Sequence, residues 1–429
     1  MKRLHYPSTG FDRFVASLPR ASRPRPKLDQ VVARIVAAVR RDGDPALLRF
    51  TQRFDGVRLA TSALRVRPSE IVAAARRVDP ELLAALRRMA VRIEVFHAQQ
   101  RSSGLRLRTH DGSVLEELVR PLDAVGLYVP GGAGAYPSSV LMNAIPAQVA
   151  GVPRIVVVTP PRALESSPAV AAALQIAGVT REVYRVGGAQ AIAALAFGTR
   201  TIAPVAKIVG PGNAYVAAAK RLVRGIVAID NDAGPSEVVV LADATARPEE
   251  VAIDLLAQAE HGSGEETAVL VTTSASLGDE VRRRVTAGAA LASNPTATRR
   301  ALLRHGAVVL VRRLEAGIAA VNALALEHAE VHTRDAAAVA RRLVAGAVFA
   351  GRFAPVAVGD YGIGPNHVLP TGGTARRASP LSVRDFERRQ SLVAMTRSGL
   401  RLVASDIVRV ARAEGFEAHA RSVLTRLAP

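Results

Sequence analysis

Four of the nine histidines in this 429-residue chain lie in polar segments flanked by glycine. An imidazole can bind a metal ion as its neutral form, and it is the side chain whose ordinary pKa lies closest to neutral pH. Because the chain has no cysteine, a metal site would have to use nitrogen and oxygen ligands. The histidines that could bind a metal or transfer a proton are His261, His328, His367 and His419.

One candidate metal site combines a glutamine with a histidine. Gln258 and His261 are three residues apart near the end of a predicted helix, so they share one helix face. Histidine is a common zinc ligand, whereas a glutamine oxygen is an uncommon one. A histidine at a helix C-terminus more often interacts with the helix dipole, so spacing alone leaves both interpretations open.

Asp360 and His419 are further candidates whose local patterns are ambiguous. Asp360 lies in the turn-like stretch GDYG, which leads to GPNH and His367, and an aspartate beside glycine is usually a turn former. His419 follows Glu414 in the segment EGFEAH of a predicted tail helix. A surface histidine is the simpler interpretation of that position.

An adjacent acid–base pair, Glu327 and His328, follows a predicted helical run. Neighbouring residues on a helix do not face each other. We therefore expect both side chains to reach one ligand only from a loop or from the end of a helix.

Short β-rich runs alternate with alanine-rich helical segments, which predicts parallel sheets with helical crossovers. The first series is VGLYV, RIVVVTP, EVYRV and AKIVG, and the second, from Glu237, is EVVVLAD, TAVLVTT and GAVVLV. Glycine-rich loops follow three runs of the first series, at residues 128–132, 186–190 and 210–213. Such loops at strand ends indicate a nucleotide or phosphate site, although none has the GxGxxG pattern and any strand-to-helix loop can require glycine.

The fold class that we predict is α/β, with two incomplete Rossmann-like parallel-sheet units, a helical N-terminal region and a helical C-terminal tail. Five parts are expected: an arm (1–26), a helical region (27–126), a first α/β unit (127–235), a second α/β unit (236–380), and the tail (381–429).

The composition indicates a globular protein, since 49% of the residues are hydrophobic. The net charge of +20 raises the possibility of nucleic-acid binding, but aromatic residues are only 4% and no nucleic-acid motif is present. A solvated arginine-rich surface is the expected explanation. No apolar run reaches the ~20 residues of a membrane span, and the N-terminus has no signal-like stretch, so a cytoplasmic protein is expected.

From about residue 120 to the end, the sequence resembles the histidinol dehydrogenase family. The matching stretches are VGLYVPGGAGAYPSSVLMNAIPAQVAGV, VGGAQAIAALAFGT, KIVGPGNAYVAAAKRLV, AGPSEVVVLAD, LLAQAEHG, GDYGIGPNHVLPTGGTAR and EGFEAHARSV. Their order and spacing fit throughout, which makes the resemblance more specific than any single motif.

The resemblance implies that the helical region 27–126 packs with the second α/β unit, that the first unit is the cofactor side, and that the second unit has the zinc and catalytic residues. It also implies a role for each candidate. The zinc ligands match Gln258, His261, Asp360 and His419, and the catalytic pair matches Glu327 and His328. The cofactor contacts match Tyr128, Gln190 and Asn213. The substrate contacts match Ser236, His367, Glu414, His328 and the zinc ligands.

The resemblance also implies an NAD-dependent oxidation of L-histidinol to L-histidine through histidinaldehyde, the last steps of histidine biosynthesis. One Zn²⁺ per subunit is implied, in a homodimer whose tails complete each other's active sites. Three positions depart from the family's usual residues: Leu326 replaces a proline, Ala133 a threonine and Asn231 a methionine. None is a ligand or catalytic residue, but Leu326 precedes the pair, and the residue before a proline is conformationally restricted.

Three alternatives remain open. A relative within the family could oxidise another small alcohol, such as a hydroxylated sulfonate. A metal, a glutamate and a histidine would also suit a zinc hydrolase, against which the glycine-rich loops argue. A basic nucleic-acid-binding protein would show salt-sensitive DNA binding without turnover.

Overall fold

The computed structural model describes residues 1–20, 25–131, 136–232 and 234–428, so Gly132 and Ala133 lie outside the described residues. The strands are β1 (Lys2–Tyr6), β2 (Leu105–Arg108), β3 (Val114–Pro121), β4 (Val125–Tyr128), β5 (Ile155–Thr159), β6 (Val183–Arg185), β7 (Lys207–Val209), β8 (Ala228–Ile229), β9 (Glu237–Ala242), β10 (Thr267–Thr272), β11 (Gly306–Val311), β12 (His328–His332), β13 (Ala347–Ala350) and β14 (Glu387–Ala394).

Helices make up most of the remaining structure. They are α1 (Thr9–Ser17), α2 (Pro26–Asp42), α3 (Asp44–Asp55), α4 (Pro68–Ala75), α5 (Pro80–Ala98), α6 (Pro137–Val149), α7 (Ala163–Ser166), α8 (Pro168–Ile176), α9 (Gly188–Phe197), α10 (Ala214–Val223), α11 (Pro248–Ala259), α12 (Ala275–Gly288), α13 (Pro295–His305), α14 (Leu314–Leu324), α15 (Ala336–Ala340), α16 (Val356–Tyr361), α17 (Arg397–Ala413) and α18 (Glu417–Leu427). Short 3-10 helices cover Thr61–Ala63, Thr374–Arg376 and Val383–Phe386.

Two parallel sheets confirm the predicted α/β class. The first has the strand order β6-β5-β4-β7-β8, and the second has the order β1-β11-β10-β9-β12-β13. The seven β-rich runs of the sequence correspond to strands of these sheets. Their residues are nearly all buried, as expected for parallel strands covered by helices on both faces.

Close packing of a helix against the first sheet explains one glycine of the run VGLYV. A Cβ atom at Gly126 would lie 2.8 Å from the Leu195 side chain of α9. Any larger residue would push this helix away from β4, so glycine is required for the close approach.

The helical region packs with the first sheet, so the prediction that it packs with the second unit is wrong. Helices α2 and α3 pack against α9, and α4 and α5 pack against α8 and α6. The reason is that their apolar residues complete the two cores of that sheet: Val32, Val39 and Phe50 on one face, and Ile71 and Ile93 on the other. The region also ends in two strands, β2 and β3, which were not predicted.

The first 20 residues are folded, which corrects the prediction of an extended arm. Strand β1 pairs in parallel with β11 at one edge of the second sheet. Helix α1 then buries Phe11 and Phe14 in the core of that sheet. The run KRLHY is half exposed, as an edge strand can be, and therefore lacks a strong apolar pattern.

The C-terminal tail begins with a strand, which corrects the prediction of a wholly helical segment. Strand β14 pairs antiparallel with β3, and β3 pairs with β2 in a small third sheet. Most β14 residues are exposed, so the strand is defined by its pairing and not by an apolar pattern. Helices α17 and α18 follow and pack against each other.

No helix among the described residues is long and apolar enough to cross a membrane.

Candidate active site

A cavity of about 490 Å³ brings together eight of the twelve candidate residues. It lies where loops of the first sheet meet the amino ends of β9 and β12 in the second sheet. The eight are Tyr128, Asn213, Ser236, His261, Glu327, His328, Asp360 and His367. Gln190, Gln258, Glu414 and His419 are not among the described residues that line it.

The acid–base pair is held by the neighbouring strand. Glu327 ends the loop after α14, and His328 begins β12. The Glu327 carboxylate accepts the main-chain N–H of Glu237 at 3.0 Å, and the Nδ1 of His328 lies 3.0 Å from the Glu237 carbonyl oxygen. One residue at the start of β9 therefore orients both side chains.

This contact determines the proton position on His328. A carbonyl oxygen can only accept, so Nδ1 has the hydrogen and Nε2 has the free electron pair. Burial lowers the pKa of the His328 imidazole, and the ring is neutral near pH 7. A neutral imidazole with a free Nε2 in a cavity is equipped to accept a proton.

Glu327 lies in an environment that favours its protonated form. Burial raises the pKa of its carboxyl group well above the ordinary value, and the nearby carboxylates of Glu237 and Asp360 raise it further. Burial also raises the pKa of Glu237, to about 7. A carboxylate whose pKa is shifted towards neutral is a stronger base than an exposed one, which suits proton transfer to and from water.

Three of the candidate zinc ligands lie on or just after two helices of the second unit: Gln258 in α11, His261 two residues after the end of α11, and Asp360 in α16. Gln258 is in α11, is only 3% exposed and has an amide nitrogen without a hydrogen-bond partner. The Nδ1 of His261 lies 3.1 Å from the Gln258 carbonyl oxygen, which leaves its Nε2 free. Asp360 is in α16, so the stretch that looked turn-like in the sequence is helical as far as Tyr361.

These residues fit a zinc ion by their chemistry. An amide oxygen, an imidazole nitrogen and a carboxylate oxygen are all donors that Zn²⁺ accepts. His261 and Asp360 both lie close enough to influence the pKa of His328. One chain thus offers three donors, one fewer than the four of a closed tetrahedral set.

The two candidates on the C-terminal tail, Glu414 and His419, are exposed. Glu414 follows the last residue of α17, and His419 is in α18 with its ring against Phe416. Both residues are exposed to solvent in the single chain.

His367 is anchored beside the zinc candidates. Its Nδ1 donates to the Asp360 carbonyl at 3.2 Å, and its Nε2 lies 3.4 Å from the Ser139 hydroxyl. Burial lowers the pKa of this imidazole, so it is neutral near pH 7.

The cofactor candidates lie on the loops of the first sheet. The Tyr128 hydroxyl accepts the N–H of Gly188 at 3.1 Å, at the start of α9. Asn213 caps α10 by accepting the N–H groups of Tyr215 and Val216 at 3.0 and 3.2 Å. Two helix N-termini therefore begin beside the cavity, an arrangement that attracts phosphate groups.

The third cofactor candidate, Gln190, lies in the first turn of α9. It is the third residue of α9, is 1% exposed, and has an amide nitrogen without a partner.

Glu237 and Ser139 contact the site residues but were not predicted from the sequence. Glu237 stands directly after Ser236, and a charged residue at the start of the otherwise apolar run EVVVLAD was the available signal. Ser139 lies in the buried helix α6 and had no distinguishing signal.

Comparison with known proteins relates this geometry to one family. A family model described as histidinol dehydrogenase matches residues 18–427. The chain is 49% identical to the histidinol dehydrogenase of Gluconobacter oxydans (strain 621H), over 100% of this chain and 99% of that protein. It is 50% identical to that of Geobacillus kaustophilus (strain HTA426), over 93% of each. Among solved structures, it is similar to the histidinol dehydrogenase from Elizabethkingia anophelis, with 35% identity, a TM-score of 0.92 and coverage of 100% of this chain and 98% of that one.

Proposed function

The chain belongs to the histidinol dehydrogenase family, and we infer from this that it is an NAD-dependent oxidoreductase that converts L-histidinol into L-histidine through histidinaldehyde, the last steps of histidine biosynthesis. The observation that carries the proposal is the placement of a neutral His328 and a buried Glu327 in one cavity, both oriented by Glu237. The two residues offer one base for the substrate hydroxyl and another for the water that attacks the aldehyde.

His328 acts in the first oxidation. The substrate hydroxyl must lose its proton as the carbinol carbon loses a hydride, and the free Nε2 of His328 accepts that proton. NAD would be held by the glycine-rich loops of the first unit and would accept the hydride, with one NAD consumed in each oxidation.

Glu327 acts in the second oxidation. The aldehyde must gain the oxygen of a water molecule, and the Glu327 carboxylate takes a proton from that water as it attacks the carbonyl carbon. The resulting hydrate anion then loses a second hydride and the proton of its remaining hydroxyl group, which gives the carboxylate product. Keeping both halves in one cavity protects the reactive aldehyde from solution.

Zinc would be held by Gln258, His261 and Asp360, together with His419 of the partner subunit, and would orient the amino and imidazole groups of the substrate. Ser236, His367 and Glu414 of the partner subunit complete the proposed substrate contacts. A carboxylate from Glu414 of the partner subunit would suit the ammonium group of an amino alcohol.

The exposure of the tail supports a homodimer with shared sites. Leu402, Val410 and Phe416 on α17 and just after it are 72%, 57% and 53% exposed, so the tail has apolar surface that its own chain does not cover. Apolar surface of this kind indicates a protein interface. A twofold arrangement in which each tail docks on the other subunit would cover it and would bring Glu414 and His419 to the partner's cavity.

Counting the reduced cofactor tests the proposed reaction. Purified protein with L-histidinol, zinc and excess NAD is expected to form two NADH for each histidine produced. A hydroxylated sulfonate and a simple amino alcohol serve as comparison substrates. A plateau at one NADH with accumulating aldehyde would contradict the two-step reaction, and faster turnover of the sulfonate would reassign the substrate.

A further inference from the structure

A second cluster of side chains that could bind a metal lies on β12 and the neighbouring helix α11, away from the cavity. Asp254 in α11 and Glu330 and His332 in β12 each offer one ligand atom, and these atoms lie within 4.8 Å of one another. None of the three lines the candidate active site. Since β12 rises about 3.3 Å per residue, His332 lies about 13 Å along the strand from His328.

The cluster contains two buried polar atoms without a hydrogen-bond partner. They are the Oε2 of Glu330, whose side chain is fully buried, and the Nε2 of His332, whose side chain is 4% exposed. Leaving a buried charged or polar atom unpaired is costly, so two such atoms facing each other indicate a missing ligand.

The distances from the His332 nitrogen to the two carboxylates fit a metal ion better than direct hydrogen bonds. The His332 Nε2 lies 3.6 Å from the Glu330 Oε2 and 3.8 Å from the Asp254 Oδ2, both beyond hydrogen-bond distance. Two ligands on a tetrahedral ion with bonds of about 2.1 Å are about 3.4 Å apart. A small inward movement would let all three atoms reach one ion.

We propose that Asp254, Glu330 and His332 form a second site for a divalent transition-metal cation, separate from the candidate catalytic zinc. Two carboxylates and one neutral imidazole balance a charge of two and match the donor preferences of Zn²⁺ and Mn²⁺. Asp254 is the partly exposed member, so the ion enters from its side.

The position of this site gives it a structural role. The ion joins α11, which contains Gln258, to β12, which begins with His328. The other oxygen of Glu330 accepts the N–H of Val356 at 2.7 Å, at the start of α16, which contains Asp360. The second cation thus stabilises the three elements that position the candidate active-site residues.

Metal content of the full-length protein tests this proposal. The protein is stripped with a chelator, dialysed against Zn²⁺ and analysed by mass spectrometry for zinc per chain. The wild type is expected to bind two Zn²⁺ per chain, and Asp254→Asn and His332→Gln are each expected to bind one. Glu250→Gln is the matched control, because Glu250 lies one turn earlier on α11 and is already paired with Arg352 at 2.5 Å.

His261→Asn separates the two sites. It is expected to retain one Zn²⁺, and that Zn²⁺ is expected to raise its melting temperature, whereas Asp254→Asn added to it should abolish both effects. The proposal is overturned if Asp254→Asn and the wild type bind the same amount of zinc, as they would if the two carboxylates merely shared a proton. If His261→Asn instead binds as much as the wild type while Asp254→Asn binds less, the second site stands and the candidate catalytic zinc site is wrong.

Discussion

The Nδ1 of His328 lies 3.0 Å from the main-chain carbonyl oxygen of Glu237, the first residue of the adjacent parallel strand. The imidazole proposed as the catalytic base is therefore oriented by a backbone carbonyl group, which no side-chain substitution at position 237 removes. The side chain of Glu237 points to a different partner, the N–H of Gly372 at 2.9 Å.

Replacing His328 is expected to slow the oxidation of histidinol. His328→Asn removes the group that accepts the hydroxyl proton, and loss of a positioned base typically reduces a rate by ~10² to 10⁴. Stopped-flow measurement of NADH formation in a single turnover reports this step. An unchanged rate of alcohol oxidation would exclude His328 as the base.

Replacing Glu327 is expected to affect the other half of the reaction. Glu327→Gln keeps the size of the side chain but cannot accept a proton from water, so conversion of histidinaldehyde into histidine should slow by ~10² or more. Alcohol oxidation in the same variant serves as the internal control and should change much less. Wild-type oxidation of supplied histidinaldehyde by this variant would rule out the assignment.

The acid side of the pH–rate profile should reflect the burial of His328. Burial lowers the pKa of its imidazole, so the base stays unprotonated below the ordinary histidine pKa of about 6.5. The value of kcat/KM for histidinol is expected to fall only at pH values below that range. A fall centred above pH 7 would mean that another group controls this limb.

The carboxyl group of Glu237 should make folding stability depend on pH. Burial raises its pKa from 4.5 to about 7, so between these pH values the folded protein holds a proton that the unfolded chain has released. Stability therefore falls as the pH rises through this window and then levels off. The full effect of a shift of this size is about 3 kcal/mol.

Glu237→Gln should remove this contribution. The difference in unfolding free energy between variant and wild type, measured in urea from pH 4.5 to 8, is expected to move in favour of the variant as the pH rises. A difference that is constant with pH would show that Glu237 does not titrate in this range.

Mixing two inactive variants tests the shared active site. His261→Ala damages the main body of a site and His419→Ala damages the donated tail, so each homodimer should lose zinc and activity. In a mixed dimer, one site has both lesions and the other has neither. Co-refolding should restore activity, towards half per mixed dimer if the sites are independent. Absence of recovery in a verified mixed dimer would mean that His419 serves its own chain.

The sequence predicts the interior strands well because they are apolar on both faces. The runs that became β4, β5, β9 and β10 are buried except for the partly buried Ile155 at the start of β5, and they could be recognised by composition alone. The positions of β12 and β14 could not be recognised from the composition of their sequences. Strand β12 buries polar residues on alternate positions, and β14 is almost wholly exposed and depends on its pairing with β3.

The residues of the candidate site were likewise only partly predictable from the sequence. The types and spacing of Glu327, His328 and His261 indicated proton transfer and metal binding, and the resemblance assigned their roles. Glu237 was missed because its contribution comes mainly from backbone groups, which a sequence does not distinguish. The cluster around Glu330 was missed because its members are distant in sequence and only the packing of α11 on the sheet brings them together.

The pairing of β1 with β11 imposes an order on folding. Lys2 pairs with Ala307 and Tyr6 with Val311, so this edge of the second sheet joins segments from opposite parts of the chain. The first sheet, by contrast, uses strands from one continuous stretch between Val125 and Ile229. Closing a long loop costs entropy before the contacts are gained, so we expect the contiguous sheet to form first and the edge strand to join late. In that order, β11 would have an unpaired edge until β1 docks, and an unpaired edge can pair with another chain, so we expect the chain to be open to aggregation during this time.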